Sequence, residues 1–199
     1  MNTAMSNAPS STSPASDRPA PGEVAWQQTV VMRNAHDEEE AFSIGPDGRV
    51  WSFIAGKPLE NLGLEADFLT VGRNGAGALV VIAAKGLHTS YRTETARHAA
   101  APGERWSVVR SIHLPSIQGA TGVRRLYTQS DFSGMRIAMI VDTHTADQGA
   151  SYVMACSQWR DNGPGPFILL PPLGAHSTAQ TGKTSGPGGL KIFRAAHST

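Results

Sequence analysis

The sequence has few of the residues that build rigid or reactive sites. Its single cysteine, Cys156, excludes an internal disulfide and a metal site made of several cysteines. Aromatic residues make up only 7% of the 199 residues, and the formal net charge of +1 gives no strong attraction to nucleic acid. No apolar run approaches the roughly 20 residues of a membrane span. These absences predict no cofactor, no metal, no nucleic-acid partner and no membrane partner.

The two ends of the chain differ in composition from its middle. Residues 1–22 are rich in Ser, Pro, Ala and Thr, and residues 174–199 are rich in Gly, Ser and Thr. Such segments bury too little apolar surface to offset the entropy of ordering, so we expect two tails, the second ending in a short strand at 190–193. The N-terminus lacks the basic start and apolar middle of a secretory signal. The expected location is therefore cytoplasmic, or outside the cell after export without a cleaved signal.

Between the tails, residues 23–173 contain short β-prone runs separated by turn residues. The clearest is a hairpin, with strands at 42–44 and 50–54 around Gly45-Pro46-Asp47-Gly48. Proline fits the first central position of a turn, and glycine fits a position that needs positive φ. The sequence predicts an all-β domain.

Tryptophan recurs in this region at nearly constant spacing. Trp51-Ser52 and Trp106-Ser107 lie about 55 residues apart, and Trp159 follows 53 residues after Trp106. The spacing predicts a repeated unit of four strands. In the second unit the strands are expected at 68–71, 78–84, 87–94 and 106–114, and in the third at 124–129, 135–141, 151–159 and 167–170. The first unit is expected to lack one strand.

Four strands per unit, a Gly-rich hairpin and a Trp-Ser pair resemble a β-propeller blade. Within that class, Trp51-Ser52 and Trp106-Ser107 resemble the blades of tectonins and of fungal or bacterial fucose-binding lectins. The resemblance implies sugar pockets between neighbouring blades, in which aromatic and Arg side chains hold the ring. It implies a homo-oligomer as well, because a propeller needs about four to eight blades and this chain has fewer. The alternative fold is a β-sandwich or a closed barrel of about ten to twelve strands.

The candidate ligand-binding residues are the three tryptophans with the polar residues that follow the last of them. An indole can stack on the apolar face of a sugar ring while its N–H meets a polar group. Arg160 and Asp161 can bind sugar hydroxyls beside Trp159. The alternative is that Trp51 and Trp106 fill equivalent positions in the core.

Other reactive residues are given structural interpretations. Asp142, His144 and His88 could form an enzyme site if the fold brought them together. Cys156, with Met154 and Tyr152 at two-residue spacing, is interpreted as a small buried hydrophobe. The acidic run 36–40 and the Arg-rich region 92–125 are interpreted as solvated surface.

These patterns lead to three hypotheses of function. The first is a non-enzymatic module that binds carbohydrate, as a lectin does. The second is a module that binds a protein, such as an exported effector. The third is an enzyme on a β-sandwich or barrel that uses Asp142, His144 and His88.

Overall fold

A computed structural model describes residues 25–95, 105–131, 134–147, 149–160 and 163–170 of the chain. Within these ranges every regular element is a β-strand, and the strands form three antiparallel sheets. The prediction of an all-β fold made of four-stranded units is therefore confirmed. The sheets are not joined into a closed barrel, and their arrangement is consistent with a sandwich or a partial propeller.

No helix in the described ranges is long and apolar enough to cross a membrane. The predicted tails, with the strand at 190–193, lie outside the described residues.

The first sheet is a four-stranded meander, although the sequence predicted only three strands for it. Its strands are β1 (Gln27–Arg33), β2 (Glu39–Ile44), β3 (Arg49–Ile54) and β4 (Glu60–Glu65). The predicted hairpin joins β2 to β3, and Gly48 in its turn has the positive φ of 71° that favours glycine. The fourth strand was missed because only two of its six residues are large and apolar.

The second sheet matches the four predicted strands in order and in approximate bounds. They are β5 (Phe68–Arg73), β6 (Leu79–Lys85), β7 (His88–Thr93) and β8 (Arg110–Ile112). The continuous apolar run of β6 is buried on both faces, as such a run predicts. This sheet therefore lies between the other two.

The third sheet has longer strands, and two short strands share the place of its fourth strand. Strands β9 (Ala120–Asp131), β10 (Gly134–Thr145) and β11 (Gly149–Arg160) form a meander, and β11 also pairs with β12 (Gly163–Pro164) and β13 (Ile168–Leu170). All four predicted segments of this unit fall on observed strands.

Two hydrophobic cores fill the spaces between the sheets. Successive residues of β6 pack alternately in the two cores, and Leu79, Val81 and Ala83 face the first sheet. Val80, Ile82 and Ala84 are turned towards the third sheet. We call the face of a sheet that is turned towards the preceding sheet its back face, and the opposite one its front face. The back face of the first sheet and the front face of the third sheet are the two ends of the stack.

Candidate functional site

The three tryptophans that recur in the sequence all lie on the back face of their sheets. Trp106 faces the first sheet, Trp159 faces the second, and both are buried. Trp51 alternates with the buried residues Val50 and Ser52, so its side chain is on the back face of the first sheet, where no described sheet precedes it. Trp106 lies just before the fourth strand of its sheet, whereas the other two lie on third strands. The three tryptophans therefore share the face of the sheet on which they lie, but they do not occupy equivalent strands.

Trp51 lines an open groove on the back face of the first sheet, which we call the tryptophan groove. The groove has a volume of about 420 Å³, and its walls are mostly apolar. The hydroxyls of Thr29 and Ser43 form a hydrogen bond of 2.9 Å within it. Its lining residues are Trp26, Thr29, Ala41, Ser43, Trp51, Phe53 and Leu59.

The indole of Trp51 is held in place by the turn that precedes its strand. Its N–H donates a hydrogen bond of 3.2 Å to the Asp47 carboxylate. A side chain at Gly45 would meet the indole at 2.9 Å, so glycine is needed for the ring to lie across the turn. Desolvation opposes the charge of Asp47, but hydrogen bonds from Trp51 and from backbone N–H groups outweigh it and lower the pKa of Asp47. The ring is thus a fixed surface against which a flat apolar ligand can pack.

Trp106, by contrast, is part of the core between the first two sheets. Its ring meets that of Phe42 edge to face, with centroids 5.9 Å apart. The guanidinium of Arg105 lies 5.0 Å from the centre of the same ring, and the indole N–H donates to Glu60 at 3.3 Å. The indole N–H of Trp106 is therefore hydrogen-bonded within the protein.

A buried group of charged residues, the Arg105 cluster, adjoins Trp106. Arg105 Nη1 donates to Glu40 at 3.0 Å, and its Nε donates to Glu94 at 3.1 Å. The hydroxyl of Ser52 also donates to Glu40, whose side chain is fully buried. Burial opposes the charge of Arg105, but the hydrogen bonds and charges of Glu40 and Glu94 outweigh it and raise the pKa of Arg105.

The Arg105 cluster corrects two interpretations of the sequence. Glu40 belongs to a strand of the core and not to a solvated acidic loop, and Arg105 is not part of a solvated rim. Glu40 is fully buried and Arg105 is largely so, because each supplies the other's charge partner across a separation of 65 residues.

Trp159 and Arg160, which the sequence predicted to act together, lie on opposite faces of the third sheet. The ring of Trp159 meets Tyr91 edge to face, with centroids 4.9 Å apart, on the back face of the third sheet. Arg160 is the next residue of the same strand, so its side chain is on the front face. Asp161 lies outside the described residues. Within one chain, the side chains of Trp159 and Arg160 are therefore not brought together.

Arg160 instead borders a groove on the front face of the third sheet, which we call the third-sheet groove. It has a volume of about 620 Å³. Cys156 lies in its wall, half-buried and not in the core as the sequence predicted, and burial raises the pKa of its thiol. Both polar and apolar side chains line the groove, among them Tyr127, Gln129, Arg136, Gln158, Arg160 and Ile168.

The residues of the enzyme hypothesis do not form one cluster. Asp142 pairs with Arg124 at 2.7 Å on the front face of the third sheet, and His144 follows at two-residue spacing. His88 belongs to the second sheet, on the other side of the core that separates the two. Within the described ranges no three His, Cys, Asp or Glu residues could hold a metal ion together.

The comparisons with known proteins add no family to this description. No protein-family model matches the chain. A search of curated proteins also finds no match. The evidence for a site at the tryptophan groove is therefore its geometry alone. Two of its lining residues, Trp26 and Phe53, were not among the predicted site residues. Phe53 could have been found from the alternation of side chains along a strand, since it follows Trp51 by two residues in β3 and lies on the same face.

Proposed function

We propose that this protein is a non-enzymatic binding module and that its ligand is a carbohydrate held in the tryptophan groove. The observation that carries the proposal is that two indoles, Trp26 and Trp51, line one open groove. A sugar ring presents an apolar face of C–H groups, which stacks on an indole, and a rim of hydroxyls, which needs polar partners. In this groove Thr29 and Ser43 are the polar partners.

The fixed position of Trp51 favours ligand binding over a purely structural role for this residue. A side chain that fills a core is held by packing on both of its sides, as Trp106 is. Trp51 is held at its N–H by Asp47 and at its edge by Gly45, while its ring borders the groove. A ring fixed before the ligand arrives loses little entropy on binding, which increases affinity.

A glycan array and titration calorimetry test the proposal. We expect the full chain to bind at least one class of glycan, and Trp51→Ala to raise the dissociation constant at least about tenfold, equivalent to about 1.4 kcal/mol. Trp26→Ala should act in the same direction. Val108→Ala is the matched control, because Val108 is 70% exposed in the loop before β8 of the second sheet and should leave affinity unchanged. The proposal fails if no glycan binds at millimolar concentration, or if Trp51→Ala binds as tightly as the native chain.

A further inference from the structure

The two ends of the stack expose most of the large apolar side chains that the described part of the chain leaves open to solvent. Seven of the eleven such residues lie on these two faces. Contiguous apolar surface of this kind marks an interaction site. On the back face of the first sheet they are Trp26, Val31, Phe53 and Leu59, and on the front face of the third sheet they are Tyr127, Ile168 and Leu170.

The two buried tryptophans show how one sheet packs on the preceding sheet. In each case a tryptophan on a back face meets an aromatic ring on the front face of the sheet before it, Phe42 for Trp106 and Tyr91 for Trp159. Trp51 is the third member of this set, and the described chain offers it no preceding sheet. The front face of the third sheet carries an exposed aromatic residue, Tyr127, and no sheet among the described residues follows it.

The three sheets converge at their first strands. The side-chain amide of Gln28 in β1 bonds to both backbone groups of Leu69 in β5, at 2.7 and 2.9 Å. Thr128 and Ser130 in β9 bond in the same way to the backbone of β5, Thr128 to the Val71 carbonyl at 2.8 Å. The stack is therefore a wedge whose narrow edge is formed by β1, β5 and β9.

We propose that two copies of this chain close a ring of six sheets, in which the back face of the first sheet of each copy packs on the front face of the third sheet of the other. The three described sheets do not close a ring by themselves, because rings of four-stranded sheets contain about four to eight of them. Two copies supply six sheets, whereas three copies would supply too many. The new contact repeats the step that already joins the sheets within the chain.

A second copy explains both exposed faces at once, and an unrelated partner explains only one. The faces differ, since the groove on the first is lined mostly by apolar and aromatic side chains, whereas the lining of the groove on the other includes polar side chains and two arginines, Arg136 and Arg160. A two-fold axis brings each of them against its complement and leaves neither exposed.

Ring closure also changes the composition of the carbohydrate site, and this point alone rests on the proposed function. Trp26 and Trp51 of one copy then face the third-sheet groove of the other, which contributes Arg136, Gln158 and Arg160. In this ring Trp51 of one copy faces Arg160 of the other, whereas the sequence predicted that Arg160 binds the ligand beside Trp159 of the same chain.

Light scattering on the full chain, coupled to size-exclusion chromatography, tests the ring. We expect a particle of twice the 21.0 kDa of one chain, at micromolar concentration. Phe53→Arg on the first sheet and Ile168→Arg on the third sheet should each give particles of one-chain mass, because both interfaces are altered in either dimer. These residues are 48% and 66% exposed, so the variants should still fold, which circular dichroism checks. Val108→Arg is the control and should keep the native mass.

Mixing the two variants distinguishes this ring from a simpler dimer. An equimolar mixture of Phe53→Arg and Ile168→Arg regains one unaltered interface and should form two-chain particles again. If the first sheets instead packed on each other, Ile168→Arg would stay dimeric and the mixture would not restore association. The proposal is overturned by a native chain of one-chain mass, by a dimer that survives both substitutions, or by a mixture that stays monomeric.

The outcome for the ring is independent of the outcome for the ligand. A dimer that binds no glycan overturns the proposed function and leaves the ring intact. A monomer that binds glycan through Trp51 overturns the ring and leaves the function. Loss of glycan binding in Arg160→Ala, with the dimer unchanged, supports the shared site, and native affinity in that variant overturns it.

Discussion

The two interfaces between sheets share one strand and differ in chemistry. Both use β6, in which residues 79–84 are all apolar and buried. The interface with the first sheet also contains the Arg105 cluster, in which the Glu40 side chain is fully buried. The core against the third sheet is built from residues such as Ile137, Met139 and Val141. The difference therefore comes from both sides of that interface, since Glu40 belongs to the first sheet and Glu94 and Arg105 belong to the chain between β7 and β8 of the second.

This comparison indicates what a buried charged cluster contributes to a β stack. Apolar faces pack in more than one register at similar cost, whereas Arg105 must meet Glu40 and Glu94 together. We infer that the cluster fixes how the first sheet sits on the second. The core between the second and third sheets is apolar, so the cost of a substitution within it should follow the side-chain volume that is removed.

The largest expected effect is the loss of Arg105. Arg105→Ala leaves Glu40 and Glu94 buried without their cation, and breaking a buried pair in this way costs about 3–5 kcal/mol of unfolding free energy. Urea denaturation measures this cost. Lys85→Ala is the control, because its pair with Glu65 is exposed at 3.6 Å and should contribute less than about 1 kcal/mol. Equal midpoints for the two variants would show that the cluster is not a requirement of the fold.

The second effect concerns the edge where the sheets converge. Gln28 lies at a bulge of β1 with φ of 40°, a conformation that is strained for a non-glycine residue and directs its amide to Leu69. Gln28→Ala removes two hydrogen bonds and should cost about 1–3 kcal/mol in urea denaturation. Ser130→Ala on the other side of β5 also removes two, but Thr128 remains beside it. We therefore expect Ser130→Ala to cost less, and the reverse order would contradict this account of the edge.

Much of the fold could be predicted because its signals are local. Strands of the second and third sheets follow from alternation and from the Gly and Pro residues between them. Strand β4 escaped prediction since its sequence, Glu-Asn-Leu-Gly-Leu-Glu, carries only two large apolar residues. Its burial depends on the sheet that covers it.

The candidate site was less predictable, because it depends on which face of a sheet is covered. The recurrence of tryptophan indicated equivalent positions, and the structure places all three on back faces. Nothing near Trp51 in the sequence says that its face is open while that of Trp159 is buried. Likewise the burial of Glu40 depends on Arg105, which is 65 residues away. Contacts at such separation leave no periodic pattern.

The smallest effect comes from a matched substitution in each interface. Trp106→Phe loses the hydrogen bond to Glu60 and part of the contact with Arg105, whereas Trp159 has no hydrogen-bond partner for its N–H in the described part of the chain. Both variants keep an edge-to-face contact and lose a similar volume. Trp106→Phe should therefore cost more than Trp159→Phe by about 1 kcal/mol, the typical contribution of one hydrogen bond. Denaturation followed by circular dichroism avoids the loss of fluorescence. If the two costs were equal, polar contacts would contribute nothing to the first interface beyond what packing gives the second.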